Sequence, residues 1–475
     1  MDDDRAIAAH SALRGKPQRA HLIGIAGSGM RSLATVLLAR GWRISGSDAN
    51  PSAADHLLSL GARVIKGHSA RNVPNDSDWI IHSDAVPPEN VERRRAAELR
   101  LRSASYTEML AELSREATTL AVAGTHGKST TTAMAGAAIV RSGLDPTMIG
   151  GGVPIGCWTG GRSGAGRHFL VEACEYRANF LLLRPQIAVV LGIEQDHFDY
   201  YSSKAQLIDA FCRFAARVPL DGLLIVNRDC AAARELVRSV SCRVATFGLR
   251  RGADWTAERL QTRRGRYRFW LAEHGRPLVE VVLRKPGKHN VTNALAAAAL
   301  SIAAGADAES VADALSSFRG LKRRLEVKGT RGGIAWIDDY AHHPTEIRAA
   351  LSTVRAMYPG RRLWCLFQPH QVSRTAALLD ELAESLHNAD KIALAEIFRA
   401  REPIARSGEV TAADLAARTA GLGGDVLEEH DTDRLIAGVA NELCPGDVLI
   451  TMGAGDIGKI GHAIFQRLRK DRARS

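Results

Sequence analysis

The sequence predicts an α/β protein of three domains, each built from alternating strands and helices. Its 475 residues correspond to roughly three domains of about 150 residues, and 45% of them are apolar, which is enough to give each domain a core. Short apolar runs that end in glycine-rich or polar loops recur along the chain, with helix-like segments between them. We found no internal repeat with the period of a solenoid.

The first predicted domain covers residues 19–115 and follows a polar, aperiodic tail, residues 1–18, that we expect to be disordered. The segment HLIGIAGSGMRSLATVLLARGWRISGSD predicts a strand, a glycine turn, a helix and a second strand. Gly41 follows the helical pattern where a C-terminal glycine cap is expected. The apolar residues of that helix follow the spacing i, i+3, i+4, i+7, i+8, and they are Met30, Leu33, Ala34, Leu37 and Leu38.

The second predicted domain covers residues 116–319. It begins with the strand, glycine loop and helix of TTLAVAGTHGKSTTTAMAGAAIVRSG, after a helix predicted near Tyr106 to Ser114. Further strands are predicted at HFLVEA, IAVVLGI and GLLIVN, and an alanine-rich helix follows KPGKHN. Apolar strands and helices alternate here as they do in the first domain.

The third predicted domain covers residues 320–475 and alternates most regularly. A strand at GIAWIDD precedes a helix from Pro344, a strand at RRLWCLFQP precedes a helix from Ser373, and a strand at KIALAEI follows. Two further helix and strand pairs, the strand DVLITMGAG and a last helix complete the pattern. This alternation predicts a doubly wound parallel sheet.

Composition excludes several classes of protein. The seven cysteines are scattered and form no C-x-x-C pair, so neither a disulfide scaffold nor a zinc ribbon is indicated. The N-terminus lacks a signal-like apolar segment, and no run of 18 apolar residues occurs. The net charge of +11 suits anionic partners, but the basic residues are dispersed and only 5% of residues are aromatic, which argues against nucleic-acid binding. We therefore expect a cytoplasmic protein without membrane insertion.

The strongest local motif is GTHGKSTTT, from Gly124 to Thr132, between an apolar strand and a helix. Amides of a glycine loop at a helix N-terminus bind phosphate oxygens, a lysine adds a positive charge, and the next hydroxyl can ligate Mg²⁺. The spacing differs from a standard Walker A motif because Val122 lies where the first glycine would be. The central domain is therefore predicted to be a P-loop ATPase domain with a shorter loop variant.

Other candidate residues follow apolar strands. Glu172 ends HFLVEA and is placed to ligate a metal, although a surface glutamate is the simpler interpretation of that residue alone. The segment GIEQDHFDYY places four polar side chains at the end of a further strand, which usually marks a site. These side chains are Glu194, Asp196, His197 and Asp199. In the first domain, Gly24 to Gly29 form a reordered dinucleotide-type loop, with Asp48 at the end of the next strand.

The third domain carries two polar clusters on successive strand ends. The segment DDYAHHPTEI lies before the helix from Pro344, and LFQPHQVSR places Arg374 four residues after His370, on the same helical face. Both clusters should face one crevice. Zinc is disfavoured for the histidines because His342 and His343 are adjacent, have no histidine four residues away and no cysteine nearby.

The ordered set of motifs resembles the Mur ligase family. The matching segments run from residue 21 to residue 460 and are HLIGIAGSGM, AGTHGKSTTT, VEACEY, GIEQDHFDYY, GKHNVTNALAA, LKRRLE, DDYAHHPTE, FQPHQVSRT and MGAGDIGKI. The resemblance implies a domain that holds a UDP-sugar, a central ATPase domain and a Rossmann-like domain that brings the amino acid. It also implies an activity in peptidoglycan precursor synthesis, namely ATP-dependent ligation of L-alanine to the lactyl carboxylate of UDP-N-acetylmuramate through an acyl phosphate.

The resemblance also assigns roles to residues. Lys128, Glu172 and His197 would be catalytic, and Ser129, Glu172 and His197 would hold Mg²⁺. ATP-binding residues would be Gly124, Thr125, His126, Gly127, Lys128, Ser129, Thr130, Asn290, Arg324 and Asp339. UDP-sugar-binding residues would be Gly27, Ser28, Gly29, Met30, Asp48 and Ser83. Amino-acid-binding residues would be Tyr340, His342, His370 and Arg374. The partners would be UDP-N-acetylmuramate, ATP and L-alanine, in a monomer or homodimer.

Two positions depart from the family pattern. Cys174 in VEACEY lies where an acidic residue is frequent, and Gln371 in PHQVSR lies where an arginine is frequent. Three alternatives remain open from the sequence: a recycling ligase that adds a peptide to the same UDP-sugar, a non-catalytic nucleotide-binding scaffold, and an NAD-dependent dehydrogenase. The dehydrogenase leaves the P-loop unexplained, and the combination of Lys128, Ser129 and Glu172 argues against a scaffold.

Overall fold

The computed structural model describes residues 18–115, 117–400, 402, 408–427, 429 and 431–470. The strands form three sheets that follow one another along the chain, each covered by helices. This confirms the predicted α/β fold class. No helix within the described ranges is long and apolar enough to cross a membrane. The predicted disordered tail lies outside the described residues, except Gln18, whose side chain accepts a hydrogen bond from Trp79 Nε1 at 2.9 Å.

The first sheet has five parallel strands in the order β3-β2-β1-β4-β5. Its strands are β1 (Arg19–Ile23), β2 (Arg43–Asp48), β3 (Arg63–Lys66), β4 (Trp79–His82) and β5 (Ser103–Ser105). Its helices are α1 (Ser28–Ala39), α2 (Asp55–Ser59), α3 (Val91–Glu98) and α4 (Tyr106–Ser114). The strand order reverses between β1 and β4, and ligands bind at such a switch point in open α/β sheets.

The second sheet has ten strands in the order β15-β14-β13-β12-β11-β10-β6-β9-β7-β8. Its strands are β6 (Thr118–Ala123), β7 (Thr147–Ile149), β8 (Gly161–Arg162), β9 (His168–Glu172), β10 (Ile187–Val190), β11 (Leu223–Asn227), β12 (Arg243–Phe247), β13 (Trp255–Arg263), β14 (Arg266–Glu273) and β15 (Arg276–Val282). Its helices are α5 (Lys128–Arg141), α6 (Lys204–Ala215), α7 (Ala231–Glu235), α8 (Lys288–Ala303) and α9 (Ala308–Ser317). The antiparallel strands β13 to β15 were not predicted from the sequence.

The third sheet has six strands in the order β16-β17-β21-β18-β19-β20, with β16 antiparallel to β17 and the others parallel. Its strands are β16 (Glu326–Arg331), β17 (Ile334–Asp339), β18 (Leu363–Phe367), β19 (Lys391–Leu394), β20 (Val426–Leu427) and β21 (Val448–Met452). Its helices are α10 (Pro344–Met357), α11 (Val372–Ala377), α12 (Leu379–Leu386), α13 (Ala412–Gly421), α14 (Thr432–Glu442) and α15 (Ile457–Lys470).

Apolar residues cover both faces of the third sheet. One buried cluster on one face includes Ile337, Leu351 and Phe367, and a second includes Trp336 and Leu449 on the other face. This is the arrangement expected of a doubly wound sheet. Between β19 and β21, the described residues hold two helices and one short strand, so the sequence prediction counted one strand too many there. The predicted domain limits at 115/116 and 319/320 fall between successive sheets and stay a prediction.

Candidate active site

Residues from all three predicted domains line one cavity of about 870 Å³. Ser28 and Arg31 line it from α1. The glycine loop and the first residues of α5, Lys128 and Ser129, line it from the second domain, and side chains that follow β17 and β18 line it from the third. The predicted site residues that line this cavity are Ser28, Thr125, His126, Gly127, Lys128, Ser129, Glu172, His197, Arg324, Tyr340, His342, His370 and Arg374. Candidates from three separate stretches of sequence therefore share one space.

The glycine loop between β6 and α5 has little room for side chains. Gly124 and Gly127 have φ angles of 135° and 82°, which favour glycine. A Cβ on Gly127 would lie 2.5 Å from Asn293 Oδ1, so α8 packs directly on the loop. β6 lies between β9 and β10, where the strand order reverses, so the loop occupies the switch point of the central sheet.

Lys128, the first residue of α5, folds back over this loop. Its ammonium group donates hydrogen bonds to the carbonyl oxygens of Gly124 at 2.5 Å and Thr125 at 3.1 Å, and to Glu175 Oε1 at 2.9 Å. Burial lowers the pKa of Lys128, but the negative charge of Glu175 outweighs it and raises the pKa above its usual value. Lys128 is therefore charged and held in place.

Glu175 is the main functional candidate that sequence reasoning missed. Its side chain is 1% exposed and also lies 3.4 Å from His197 Nε2. Burial raises its pKa, but Lys128 and His197 together lower it below the usual range. The available signal was the second glutamate of VEACEY, three residues after Glu172.

Glu172 and Ser129 are in direct contact, as a shared metal site requires. Ser129 Oγ donates to Glu172 Oε1 at 2.8 Å, and the amide of Gly151 donates to Glu172 Oε2 at 2.8 Å. His197, the third predicted ligand, instead contacts Glu175 and packs against Tyr176, with 5.0 Å between the ring centroids. The thiol of Cys174 opens into the same cavity.

Arg374 forms a buried ion pair with the central domain. Its Nε and Nη2 donate to Asp196 Oδ1 at 2.9 and 2.6 Å, and its Nη1 contacts His370 Nδ1 at 2.8 Å. The two charged side chains are 3% and 7% exposed. Burial raises the pKa of Asp196, but Arg374 outweighs it and holds the pKa far below its usual range. The predicted amino-acid ligand thus already has a protein partner, which sequence reasoning did not foresee.

The other amino-acid candidates lie beside Arg374. Tyr340 lies under the guanidinium groups of Arg323 and Arg324, each 5.1 Å from the ring centroid. Burial lowers the pKa of His342 to about 4, so its imidazole is neutral at pH 7. Gln371 also lines the cavity and has a φ of 68°, an unusual backbone conformation for glutamine.

A second pocket of about 280 Å³ lies on the other side of the glycine loop. Thr130, Asn290 and Asp339 line it, together with Lys285 and His289. The Asp339 carboxylate accepts hydrogen bonds from the amides of Leu325 at 2.6 Å and Ala341 at 2.7 Å. Lys285 is a pocket residue that sequence reasoning missed. Burial lowers its pKa to about 8. The predicted ATP residues thus line the cavity, this pocket or both, except Gly124, which is in neither lining.

The N-terminal candidates gather at the carboxyl edge of the first sheet. Asp48 Oδ2 accepts the amide of Ala26 at 3.0 Å, and a Cβ on Gly24 would lie 3.0 Å from Ser83 Cβ. A Cβ on Gly29 would lie 2.8 Å from the Tyr106 ring, so α4 packs closely on α1. Of these candidates only Ser28 lines the large cavity. The remaining ones lie outside its lining, and they are Gly27, Gly29, Met30, Asp48 and Ser83.

Three family models match the chain in succession. The Mur ligase family catalytic domain matches residues 19–118, the Mur ligase middle domain matches 122–301, and the Mur ligase glutamate ligase domain matches 323–455. Together with the cavity that contains the P-loop lysine, these three matches place the protein among the ATP-dependent ligases. The chain belongs to the Mur ligase family.

Relatives with curated names are similar over nearly their whole length. UDP-N-acetylmuramate–L-alanine ligase of Salinibacter ruber is 40% identical over 460 residues, covering 96% of each chain. The enzyme of the same name from Clostridium novyi is 37% identical over 456 residues, covering 96% of this chain and 98% of its own.

Solved structures agree with this result. The crystal structure of UDP-N-acetylmuramate–alanine ligase from Thermotoga maritima matches with a TM-score of 0.80 and 26% identity, covering 95% of this chain and 99% of its own. A murein peptide ligase from Psychrobacter arcticus matches with a TM-score of 0.72 and 25% identity, with coverage of 95% and 99%.

Proposed function

We propose that this protein is an ATP-dependent ligase that joins L-alanine to the lactyl carboxylate of UDP-N-acetylmuramate in peptidoglycan precursor synthesis. The observation that carries the proposal is the single cavity shared by Ser28, the Lys128 loop and the cluster around Tyr340 and Arg374. The names of the relatives supply the substrate identities. We place the reaction in the cytoplasm, with the protein as a monomer or homodimer.

The reaction requires two displacements. An oxygen of the lactyl carboxylate attacks the γ-phosphorus of ATP, the bond to the β-phosphate oxygen breaks, and ADP leaves. The amine of L-alanine then attacks the carbonyl carbon of the acyl phosphate and loses one proton, and inorganic phosphate leaves as the amide forms. Both steps concentrate negative charge, so they need fixed positive charge and excluded water.

Lys128 is placed to supply that charge at the transferring phosphoryl group. Its ammonium lies over the carbonyl oxygens of Gly124 and Thr125, next to the first amides of α5, where phosphate oxygens bind. Glu175 keeps Lys128 charged before the nucleotide arrives. The buried position of Lys128 strengthens its interaction with phosphate, since water screens it little.

Mg²⁺ fits the donor set beside Lys128. A serine hydroxyl and a carboxylate are the hard oxygen ligands that this ion prefers, and Ser129 Oγ and Glu172 Oε1 are 2.8 Å apart. Ser129 and Glu172 would hold the ion, and His197 would serve a second one. Bound there, Mg²⁺ would neutralise charge on the phosphates.

The third domain is proposed to bring the amino acid. Tyr340, His342, His370 and Arg374 line the same cavity as the P-loop residues. Arg374 could bind the α-carboxylate of alanine by exchanging or sharing its Asp196 partner. A charge-assisted hydrogen bond suits a carboxylate that loses its hydration in a closing cleft.

Phosphate release with UDP-N-acetylmuramate and ATP, measured against a panel of acceptors, tests the proposal. The panel is L-alanine, glycine, L-serine and the tripeptide L-alanyl-γ-D-glutamyl-meso-diaminopimelate. We expect L-alanine to give the highest kcat/KM, with one amide formed for each phosphate released. A preference for the tripeptide would favour the recycling ligase, which the resemblance to the murein peptide ligase makes the second candidate. Phosphate release with none of them would leave a nucleotide-binding scaffold.

A further inference from the structure

Three side chains from different segments meet beside the P-loop and form what we name the His126 cluster: His126, Glu194 and His343. His126 belongs to the glycine loop, Glu194 follows β10, and His343 is the N-cap residue of α10 in the third domain. One ligand atom from each residue lies within 4.8 Å of the other two. None of the three belongs to the predicted Mg²⁺ site.

The distances suit a small cation. His126 Nε2 lies 3.4 Å from Glu194 Oε2, and His343 Nδ1 lies 3.7 Å from the same oxygen. In a tetrahedral zinc site with metal–ligand bonds of about 2.1 Å, neighbouring ligand atoms lie about 3.4 Å apart. Both distances to Glu194 Oε2 are therefore near the expected value. A small rotation of a histidine ring would shorten the remaining distance, which joins the two histidines.

His126 is oriented as a metal ligand is. Its Nδ1 lies 3.2 Å from Glu346 Oε1, which fixes the ring and leaves Nε2 directed at the cluster. Nε2 is buried and has no hydrogen-bond partner among the described residues. Metal-binding histidines commonly use one nitrogen for the metal and donate the other N–H to a carboxylate.

His343 is the most deeply buried member, at 6% exposed. Its Nδ1 accepts the Thr345 amide at 3.3 Å, a long hydrogen bond that a metal would replace. Glu194 is held by Thr345 Oγ1, which donates to Oε2 at 2.6 Å. Two imidazoles and one carboxylate, with the charge of Glu346 nearby, match the ligand type and charge that a divalent transition metal requires.

We propose that the His126 cluster binds a divalent transition-metal ion, with Zn²⁺ as the representative, at a site separate from the Mg²⁺ ligands Ser129 and Glu172. Mg²⁺ does not compete well for it, because that ion prefers oxygen ligands and keeps its water. Since His343 lies in the third domain and His126 and Glu194 in the second, the bound ion cross-links the two domains in the arrangement seen here. A cross-link at this position slows the domain opening that product release requires, so Zn²⁺ inhibits turnover.

Direct metal binding tests the proposal without reference to the enzyme activity. The intact protein is titrated with Zn²⁺ in competition with a chromogenic chelator, in an excess of Mg²⁺ that saturates the other site. We expect one tight Zn²⁺ per chain. Glu194→Gln retains an acceptor for Thr345, and His343→Asn retains an N-cap side chain, yet each removes a ligand and should weaken binding by at least about tenfold.

Two control variants locate the ion. His274→Asn changes an exposed histidine of the β14–β15 turn and should leave Zn²⁺ affinity unchanged. Cys174→Ser should also leave it unchanged, since the thiol lies outside the cluster. Loss of binding in Cys174→Ser, or unaltered binding in both Glu194→Gln and His343→Asn, would overturn the proposal.

Phosphate release then tests the consequence, which rests on the proposed function. Zn²⁺ should inhibit the wild type, and His343→Asn should remain active and require at least about tenfold more Zn²⁺ for the same inhibition. If Zn²⁺ binds but turnover is unchanged, the proposed inhibition by cross-linking is wrong, and the metal site itself is still supported. An inactive protein that binds Zn²⁺ at this cluster would instead contradict the proposed function alone.

Discussion

The central domain meets its two neighbours in different ways. The N-terminal junction, which we define as the contacts of α1 with residues 147–161, is made by small neutral groups: Ser32 Oγ donates to the Gly150 carbonyl at 2.8 Å and accepts the Gly160 amide at 3.2 Å. The C-terminal junction, which we define by the pairs of Asp196 with Arg374 and of His126 with Glu346, is made by charged side chains.

The apolar cores follow the same division. One buried cluster runs continuously through the first and second domains and includes Leu33, Ile149 and Phe211. Among the described residues, the buried clusters of the third domain are separate from those of the second. Close packing of buried groups therefore holds the N-terminal junction together, whereas ion pairs hold the C-terminal junction together. We infer that the third domain is the one that moves during turnover, and that the charges at its junction act on substrates.

The largest effect is expected at Lys128, beside the C-terminal junction. Lys128→Ala should lower kcat on the order of 10³-fold, because the lost charge acts mainly on the transferring phosphoryl group. Steady-state phosphate release under saturating substrates measures it. Lys204→Ala, at the exposed first residue of α6, is the matched control and should retain wild-type turnover. A Lys128→Ala protein that keeps more than about a tenth of wild-type kcat would contradict the assigned role.

Arg374 should show the next largest effect. If it binds the alanine carboxylate, Arg374→Ala raises the alanine KM by an amount equivalent to roughly 2–5 kcal/mol, and the KM values for ATP and the UDP-sugar change far less. Asp196→Asn separates this role from domain pairing, since it breaks the ion pair and keeps the guanidinium.

The comparison of these two variants is decisive. An alanine KM that changes equally in Arg374→Ala and Asp196→Asn would mean that Arg374 only holds the domains together. An unchanged alanine KM in Arg374→Ala would mean that Arg374 does not bind the substrate.

Gln371→Arg should be tolerated, because Gln371 lines the open cavity and an added cation there faces a carboxylate substrate.

Adding a methyl group at Gly161 tests how closely the N-terminal junction is packed. A Cβ on Gly161 would lie 2.1 Å from the Ser32 carbonyl oxygen, so Gly161→Ala must shift the backbone of one domain. We expect a loss of about 1–3 kcal/mol in the free energy of unfolding, measured by urea denaturation. Gly421→Ala, where a Cβ meets nothing within 4 Å, is the control. Equal stability of the two variants would show that the first junction is not closely packed.

The C-terminal junction should also depend on pH. Burial lowers the pKa of His126, but the nearby carboxylates of Glu194 and Glu346 outweigh it and raise the pKa to about 9. The stabilisation from charged His126 is therefore complete below the unfolded value of about 6.5 and is lost as the pH rises through about 9.

Because of this titration, the free energy of unfolding is expected to fall by an amount on the order of 2 kcal/mol between pH 7 and pH 10. Unfolding free energies of the wild type and His126→Gln, measured at each pH, isolate it, since other groups titrate equally in both. Parallel curves for the two proteins would show that His126 carries no such linkage.

Sequence alone could predict features that depend on neighbouring residues. The strand, loop and helix around Gly124 and Lys128 follow from local periodicity and glycine placement, and so do β17 and α10. The strands β13 to β15 were missed because Trp255–Val282 is rich in arginine and glutamate, and much of it is exposed. Of the three strands, β14 alone buries several residues, namely Phe269, Leu271 and Ala272, so the alternation of apolar and polar residues over the whole segment is weak.

Contacts between distant residues could not be predicted in the same way. Arg374 and Asp196 are 178 positions apart, and His126 and Glu346 are 220 apart. Periodicity places each residue on its own element but does not orient one domain against another. Zinc was disfavoured at His343 because the sequence shows no histidine four residues away and no cysteine nearby. The potential co-ligands that the structure places beside it, His126 and Glu194, belong to a different domain.

The smallest effect is expected at Cys174, which lies among the charges of the cavity but should serve neither packing nor chemistry. Desolvation by the surrounding walls and the charge of Glu175 raise the pKa of its thiol to about 12, so the thiolate is scarce at neutral pH. Cys174→Ser and Cys174→Asp should keep substantial ligase activity, and an alkylating reagent should modify Cys174 slowly. Loss of activity in Cys174→Ser, with the circular dichroism spectrum unchanged, would mean that a neutral side chain in this cavity matters as much as the charges around it.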